Sequence, residues 1–273
     1  MSRPLALITG ASAGLGAAFA RAYAARGYDV ALVARRLNRL QALGGELSAK
    51  HGCETIAIQC DLGQWEAHRK VLEALGPRAD QVEVLVNNAG FGLAEDFDAA
   101  PWERQRDLMM TMVVAVTGLA YGVIPGMKAR RSGAIINLAS LAGFAPGVAG
   151  HTLYPAAKSF QVRFSQALAA ELQPFGIKVT ASCPGFTHTE FHQANGTQTQ
   201  MDRIPRFAWQ SAEDVVDGTL AASARGQLIY VPGWHNKIIA WSLQYLPHGW
   251  IRAQVQKGAL KYRAKPSEAQ EAR

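Results

Sequence analysis

Tyr154 and Lys158 lie four residues apart, a spacing that places two side chains on one face of a helix. A free tyrosine has a pKa of about 10, and a nearby ammonium lowers that pKa because it stabilises the phenolate. The pair could therefore exchange a proton with a substrate near neutral pH. The hydroxyl of Ser140, which belongs to another element, could hold a substrate oxygen beside the phenol. Chance alone places a Tyr-x-x-x-Lys in roughly half of the chains of this length, so its meaning depends on the surrounding elements.

A glycine-rich turn opens the chain. The apolar run from Leu5 to Ile8 leads into Thr9–Gly16, and an alanine-rich helical stretch then extends to about Arg26. A glycine turn between a strand and a helix lets backbone amides approach a phosphate, and the helix N-terminus attracts its negative charge. The alternative is an ordinary strand-to-helix loop.

Two arginines follow the second predicted strand, Val30–Val33. In a dinucleotide-binding fold, a carboxylate at this point accepts a hydrogen bond from a ribose 2′-hydroxyl, whereas arginine suits a 2′-phosphate. Arg35 and Arg36 therefore favour NADPH over NADH, unless they only begin a solvated helix.

Strands and helices alternate along the rest of the chain. Further strands are predicted at about 55–58, 82–86, 133–138, 177–182 and 228–231, with helices between them. A long helical region is expected from Pro101 through Met127, with Pro125 breaking its end. This alternation predicts an α/β fold, a single-domain Rossmann fold with a doubly wound parallel sheet. Six residues that follow strand ends should line one edge of the sheet, where such folds bind ligands: Gly10, Arg36, Asp61, Asn87, Ser140 and Gly185.

These motifs, in this order, resemble the short-chain dehydrogenase/reductase family from the N-terminus to about residue 190. The resemblance rests on Thr9–Gly16, Asn87–Gly90, Ser140, the Tyr154/Lys158 pair and Pro184-Gly185. It implies about seven parallel strands with helices on both faces, and hydride transfer between a nicotinamide and a carbonyl or alcohol. Relatives are commonly homodimers or homotetramers.

The resemblance also implies residue roles. Ser140 would bind the carbonyl oxygen, Tyr154 would donate the proton, and Lys158 would lower the pKa of Tyr154 and hold the nicotinamide ribose. The other residues that it assigns to NADP(H) are Gly10, Ser12, Gly14, Leu15 and Gly16 at the pyrophosphate, Arg35 and Arg36 at the 2′-phosphate, Asp61 and Leu62 at the adenine, Asn87, Ala89 and Gly90 near the ribose, and Pro184, Gly185, Thr187 and Thr189 on the carboxamide side.

Met112 departs from the family pattern. The family places an asparagine thirteen residues before the proline that is Pro125 here, and that asparagine helps to hold a water that relays protons to the lysine. A thioether accepts hydrogen bonds only weakly. Besides the reductase, this departure leaves open a cofactor-binding sensor or scaffold with little or no activity.

Composition excludes several other classes. The 273 residues carry a formal charge of +7 without a dense basic block, which argues against nucleic-acid binding. Cys53, Cys60 and Cys183 are odd in number and lack metal-ligand spacing, so we expect reduced thiols and no metal. No signal peptide and no uninterrupted apolar stretch of bilayer length is evident, so a cytoplasmic protein is expected.

The segment from 186 to 225 should cover the substrate, with a polar lid followed by a helix that Ser211 caps. His188 and His192 lie in the lid and are more typical of solvated loop residues than of catalytic ones. Phe144, Phe186 and Phe191 near the expected pocket indicate a moderately large, apolar ketone or aldehyde.

The stretch from 234 to 261 mixes tryptophan, tyrosine and isoleucine with cations, and Pro247 should divide it into two helices. It could pack against protein, as a dimer contact or a cap over an apolar substrate. The second, less favoured alternative is that it lies in a membrane interface, at the inner face of a membrane. The tail at 262–273 is polar and expected to be disordered.

Overall fold

The structure is a computed structural model that describes residues 3–93, 95–147, 152–190, 205 and 208–262, the side chains of 248 and 257–262 excepted. The lid residues His192 and Phe191, and the tail from 263 onward, lie outside the described residues. Expectations that concern them therefore stay predictions.

Seven strands form one parallel sheet in the order β3-β2-β1-β4-β5-β6-β7, as the alternation and the resemblance predict. The strands are β1 Leu5–Thr9, β2 Asp29–Ala34, β3 Thr55–Gln59, β4 Val82–Asn87, β5 Gly133–Leu138, β6 Ile177–Ser182 and β7 Ile229–Tyr230. The order reverses between β1 and β4, which creates the crevice where such sheets bind nucleotides.

Helices cover both faces of this sheet. They are α1 Gly14–Ala25, α2 Leu37–His51, α3 Ala67–Leu75, α4 Trp102–Met109, α5 Ala115–Arg130, α6 Leu153–Leu172, α7 Ala212–Ala224, α8 Trp234–Tyr245 and α9 His248–Tyr262. One core cluster joins the sheet to α3, α5 and α6, and a second joins its other face to α1, α2 and α7. Because both faces are covered, β1 is an almost continuous apolar run rather than an alternating one.

The predicted helix through Met127 is confirmed, but the expected break at Pro125 is wrong, since α5 continues to Arg130. Proline removes the hydrogen bond to the carbonyl four residues earlier, on Tyr121. Tyr121 is 83% exposed, so water can satisfy that carbonyl and the helix continues. The whole stretch Trp102–Arg130 is long and apolar enough to cross a membrane, but half of its most apolar window is buried inside the protein. That burial fits a core helix.

Two predicted helix boundaries are confirmed. The hydroxyl of Ser211 accepts a hydrogen bond from the backbone N–H of Asp214 at 3.0 Å and caps α7. Pro247 separates α8 from α9.

Candidate active site

The glycine turn after β1 is closely packed. Gly10 and Gly14 have positive φ values of 66° and 53°, which favour glycine. A Cβ on Gly16 would lie 2.2 Å from the carbonyl oxygen of Gly10, so no larger residue fits there. The turn leads directly into the N-terminus of α1, whose unpaired backbone amides attract an anion.

The end of β4 is tied to this turn. The Thr9 hydroxyl accepts hydrogen bonds from the backbone N–H groups of Asn88 and Ala89 at 2.9 and 3.1 Å, and the Asn88 side chain donates to the Thr9 carbonyl at 2.9 Å. The Asn87 side chain is instead buried in the core, where it donates to Asn137 at 2.9 Å. A ribose contact from Asn87 would therefore have to come from its main chain.

The arginines after β2 form an anion site. Arg36 donates to the Ser12 hydroxyl through Nε and Nη2, at 3.2 and 2.9 Å. The carboxylate of Glu190 bridges Arg36 at 3.3 Å and Arg39 at 2.8 Å. These arginines lower the pKa of Glu190, with the hydrogen bond from Arg39 as the largest cause. Arg35 is exposed, and its carbonyl accepts a hydrogen bond from Gln59.

Sequence reasoning missed Arg39 and Glu190. Arg39 had a usable signal, since it lies one helical turn after Arg36. Glu190 had none, because its partners are more than 150 residues earlier in the chain.

The remaining expected cofactor residues differ in their surroundings. Asp61 accepts a hydrogen bond from the backbone of Gly63 at 3.0 Å, whereas the Leu62 side chain is buried in the core, so an adenine contact from Leu62 would come from its main chain. Thr189 lies over the glycine turn, since a Cβ on Gly14 would be 3.1 Å from its side chain. This contact brings the segment after β6 across the turn.

The segment after β6 is held by α8. The Pro184 carbonyl accepts from the backbone of Leu141 at 3.0 Å, and the Thr187 hydroxyl donates to the Gly185 carbonyl at 3.2 Å. Asn236 is buried at the start of α8 and packs closely against Gly185. A Cβ on that glycine would lie 2.6 Å from the Asn236 side chain. Sequence reasoning did not identify Asn236, which supports the site from outside the matched motifs.

The three expected catalytic side chains come together beside β5. The Tyr154 phenol and the Ser140 hydroxyl are hydrogen-bonded, and the Ser140 oxygen also accepts from the backbone N–H of Ala142 at 3.1 Å. The Lys158 Nζ atom lies 5.7 Å from the centre of the Tyr154 ring. Lys158 is buried and donates to the Leu138 carbonyl and, at 3.1 Å, to the side-chain oxygen of Gln161.

Burial controls the protonation of this pair. It raises the pKa of Tyr154 to about 12, opposed by a smaller lowering from the hydrogen bond with Ser140. It also lowers the pKa of Lys158 to about 7. Burial and the Ser140 hydrogen bond account for the shift of the Tyr154 pKa, and the expected lowering of that pKa by Lys158 stays a prediction.

The comparisons with known proteins decide the family. Residues 4–200 match the family described as short chain dehydrogenase. The chain belongs to the short-chain dehydrogenase family. It is 37% identical over 195 residues to an uncharacterized oxidoreductase from Myxococcus xanthus, covering 71% of this chain and 76% of that one. It is 36% identical over 221 residues to sulfoacetaldehyde reductase 2 from Chromohalobacter salexigens, covering 78% and 85%.

Solved structures agree. A short-chain dehydrogenase from Sphingobium yanoikuyae in complex with NADPH superposes with a TM-score of 0.77 at 31% identity, covering 97% of both chains. The bulky-bulky ketone specific alcohol dehydrogenase from Comamonas testosteroni gives a TM-score of 0.74 at 28% identity, covering 98% of this chain and 97% of that one.

This short-chain dehydrogenase is thus an oxidoreductase that interconverts carbonyl and alcohol groups. Its residues fit NADP(H). The glycine turn leads into the N-terminus of α1, whose backbone amides suit a pyrophosphate, and the Glu190 carboxylate on Arg36 and Arg39 shows that these arginines accept an anion.

Proposed function

We propose that the protein reduces a ketone or aldehyde with NADPH at the site formed by Ser140, Tyr154 and Lys158. The hydrogen bond between the Ser140 and Tyr154 hydroxyls carries this proposal, because it places two O–H donors where one carbonyl oxygen could meet both. A bound nicotinamide would supply the hydride to the carbonyl carbon. Tyr154 donates its proton to the oxygen, Ser140 holds that oxygen, and Lys158 stabilises the resulting phenolate.

We propose a moderately large, apolar substrate. Phe186 is partly exposed beside Trp209, with ring centres 5.7 Å apart, and Phe144 packs near the end of β5. Relatives whose names indicate large substrates support this, among them the bulky-ketone dehydrogenase and a very-long-chain 3-oxoacyl-CoA reductase that is 29% identical. The relatives named sulfoacetaldehyde reductase argue against a large substrate, because sulfoacetaldehyde is small and charged.

NADPH should be preferred over NADH. The support is Arg36 after β2 and Arg39 in the first turn of α2, together with the absence of a carboxylate at that strand end in the sequence. An arginine pair suits a 2′-phosphate, which only NADP(H) carries.

A panel of carbonyl compounds tests the proposal. NADPH oxidation would be followed with bulky aryl and alkyl ketones, short aldehydes and sulfoacetaldehyde. We expect the highest kcat/KM for a bulky ketone. Highest activity on sulfoacetaldehyde would contradict the substrate class, and tight NADPH binding without oxidation across the panel would favour the sensor hypothesis that Met112 raised.

We further propose that α8 lies against an anionic membrane surface. Trp234, Ile238, Trp241 and Tyr245 recur at helical spacing and are 73%, 56%, 56% and 71% exposed, whereas Ala240 on the other face is buried. Residues 218–267 contain no aspartate or glutamate but seven lysines and arginines. An outward aromatic face without acidic residues suits the interface of an anionic leaflet better than a second copy of the same basic segment.

Vesicle co-sedimentation tests this surface. The protein should bind phosphatidylcholine vesicles only when they contain phosphatidylserine, and a double variant Ile238→Ser/Trp241→Ser should lose that binding. Trp65→Ser is the control, because Trp65 is a still more exposed aromatic residue, at 73%, on another part of the surface. If the parent protein does not bind vesicles and is a dimer that the double variant loses, the aromatic face of α8 is a self-association surface instead.

We also propose a homodimer or homotetramer through the long helices. Tyr121 on α5 is 83% exposed and Trp102 on α4 is 65% exposed. Light scattering of a Tyr121→Glu variant should show a smaller assembly than the parent protein, and an unchanged mass would place the contact elsewhere.

A further inference from the structure

Met112 fills a core position next to the catalytic lysine. It lies in a π-helical turn, Met110–Val114, between α4 and α5, and its side chain is fully buried. A Cβ on Gly90 would be 3.4 Å from the Met112 sulfur and 3.8 Å from the Lys158 Nζ atom. The thioether therefore supplies packing, and any polar contact from this position has to come from its main chain.

That main-chain carbonyl has a polar partner on α6. The side-chain nitrogen of Gln161 donates to the Met112 carbonyl oxygen at 2.9 Å. The side-chain oxygen of the same Gln161 accepts from the Lys158 Nζ atom at 3.1 Å. Gln161 is fully buried, so neither end of its amide has water as an alternative.

The two partners fix the orientation of the amide. A lysine ammonium can only donate and a backbone carbonyl can only accept, so the oxygen must face Lys158 and the nitrogen must face Met112. The main chain of Gln161 is also engaged, since its carbonyl accepts from the Ser165 hydroxyl at 2.7 Å. The side chain is therefore held rigidly between α6 and the π turn.

We propose that Gln161 is a positioning residue that holds the Lys158 ammonium and ties it to the main chain of Met112, the residue that stands where the family has an asparagine. This inference rests on the proposed reductase function. A buried ammonium needs acceptors to stay charged, and the Gln161 oxygen is one of the two that the structure gives it, beside the Leu138 carbonyl. Gln161 thus favours the charged lysine that the phenolate of Tyr154 requires.

The proposal predicts opposite shifts for two substitutions. Gln161→Leu removes an acceptor, so the pKa of Lys158 should fall by about one unit, the size expected for a hydrogen bond to a charged group. Gln161→Glu places a carboxylate there, so the pKa of Lys158 should rise by a similar amount. The basic limb of the kcat profile for carbonyl reduction should move in the same two directions, because the charged lysine is lost at lower pH in Gln161→Leu.

Carbon-13 NMR of labelled lysine tests this in the protein free of cofactor, with the Lys158 signal assigned by its loss in Lys158→Met. Gln166→Leu is the matched control, because Gln166 lies on the same helix and pairs with Arg163 instead.

Adding Met112→Asn to Gln161→Leu should restore part of the lost kcat. A Lys158 pKa unchanged in both Gln161 variants would overturn the proposal, and the NMR result stands whether or not a substrate is found. If Gln161→Leu does not fold, Gln161→Glu decides the outcome alone.

Discussion

The Lys158 Nζ atom lies 5.7 Å from the centre of the Tyr154 ring, on successive turns of one helix, and burial shifts their two pKa values towards the neutral forms. Tyr154 is thus kept protonated, as a proton donor must be. Lys158 is close to its titration point at neutral pH, so its charge responds to neighbouring groups.

The buried lysine should make stability depend on pH. The pKa of Lys158 is about 7 in the folded protein and higher in the unfolded chain, so above pH 7 the unfolded chain binds more protons. The free energy of unfolding should therefore rise with pH, by at most ~1.4 kcal/mol per unit for one proton. Urea denaturation between pH 7 and 8.5 would show it, below the range where the raised pKa of Cys183 has the opposite effect.

Lys158→Met is the control for this measurement, because it removes the titrating group. The rise with pH should be smaller in that variant than in the parent protein. Equal slopes would mean that Lys158 keeps an ordinary pKa despite its burial.

Cofactor preference should depend on the end of β2. Arg36→Asp removes a phosphate ligand and adds a carboxylate suited to a 2′-hydroxyl, so the ratio of kcat/KM for NADPH over NADH should fall at least ~tenfold. Arg21→Ala is the control, since Arg21 is an exposed arginine of α1 that pairs with Glu46 of α2. An unchanged ratio in Arg36→Asp would remove the 2′-phosphate assignment.

Glu190 should compete with the cofactor for the arginines. Its carboxylate bridges Arg36 and Arg39, so Glu190→Gln should tighten NADPH binding severalfold while leaving NADH binding almost unchanged. The gain should be small, ~1 kcal/mol or less, because all three side chains are about half exposed. Fluorescence titration measures it, and weaker NADPH binding would show that Glu190 helps to hold the cofactor.

Two glycines should respond to alanine in opposite ways. Gly16→Ala places a Cβ 2.2 Å from the Gly10 carbonyl, so it should lower Tm and abolish NADPH binding. Gly45, within α2, has open space at the same atom, so Gly45→Ala should raise stability by ~1 kcal/mol. Calorimetry compares them, and a Gly16→Ala variant that binds NADPH normally would contradict the tight turn.

Much of the fold could be predicted from the sequence because strands and helices alternate with clear apolar periods. Both faces of the sheet are buried, so β1 and β2 are short continuous apolar runs that are easily recognised. The break expected at Pro125 is wrong because the sequence does not show that Tyr121, whose carbonyl loses its helical hydrogen bond, is exposed to water. That exposure lets the helix continue.

Part of the site could not be predicted because it depends on contacts between distant segments. Gln161 reads as an ordinary helical residue until the fold brings the Met112 carbonyl to its side-chain nitrogen. Asn236 lies outside the matched motifs, and only the packing of α8 against Gly185 reveals its contact. The pKa of Tyr154 also needed the structure, since spacing shows the neighbouring lysine but not the burial that raises that pKa.

The rate of NADPH oxidation by Tyr154→Phe, with a ketone on which the parent protein is active, tests the central claim most directly. Tyr121→Phe is the matched control, because Tyr121 is 83% exposed on α5. The account predicts a loss of ~100-fold or more in kcat for Tyr154→Phe, unchanged NADPH binding, and no effect of Tyr121→Phe. A Tyr154→Phe variant with the parent rate would contradict the assignment of Tyr154 as the proton donor.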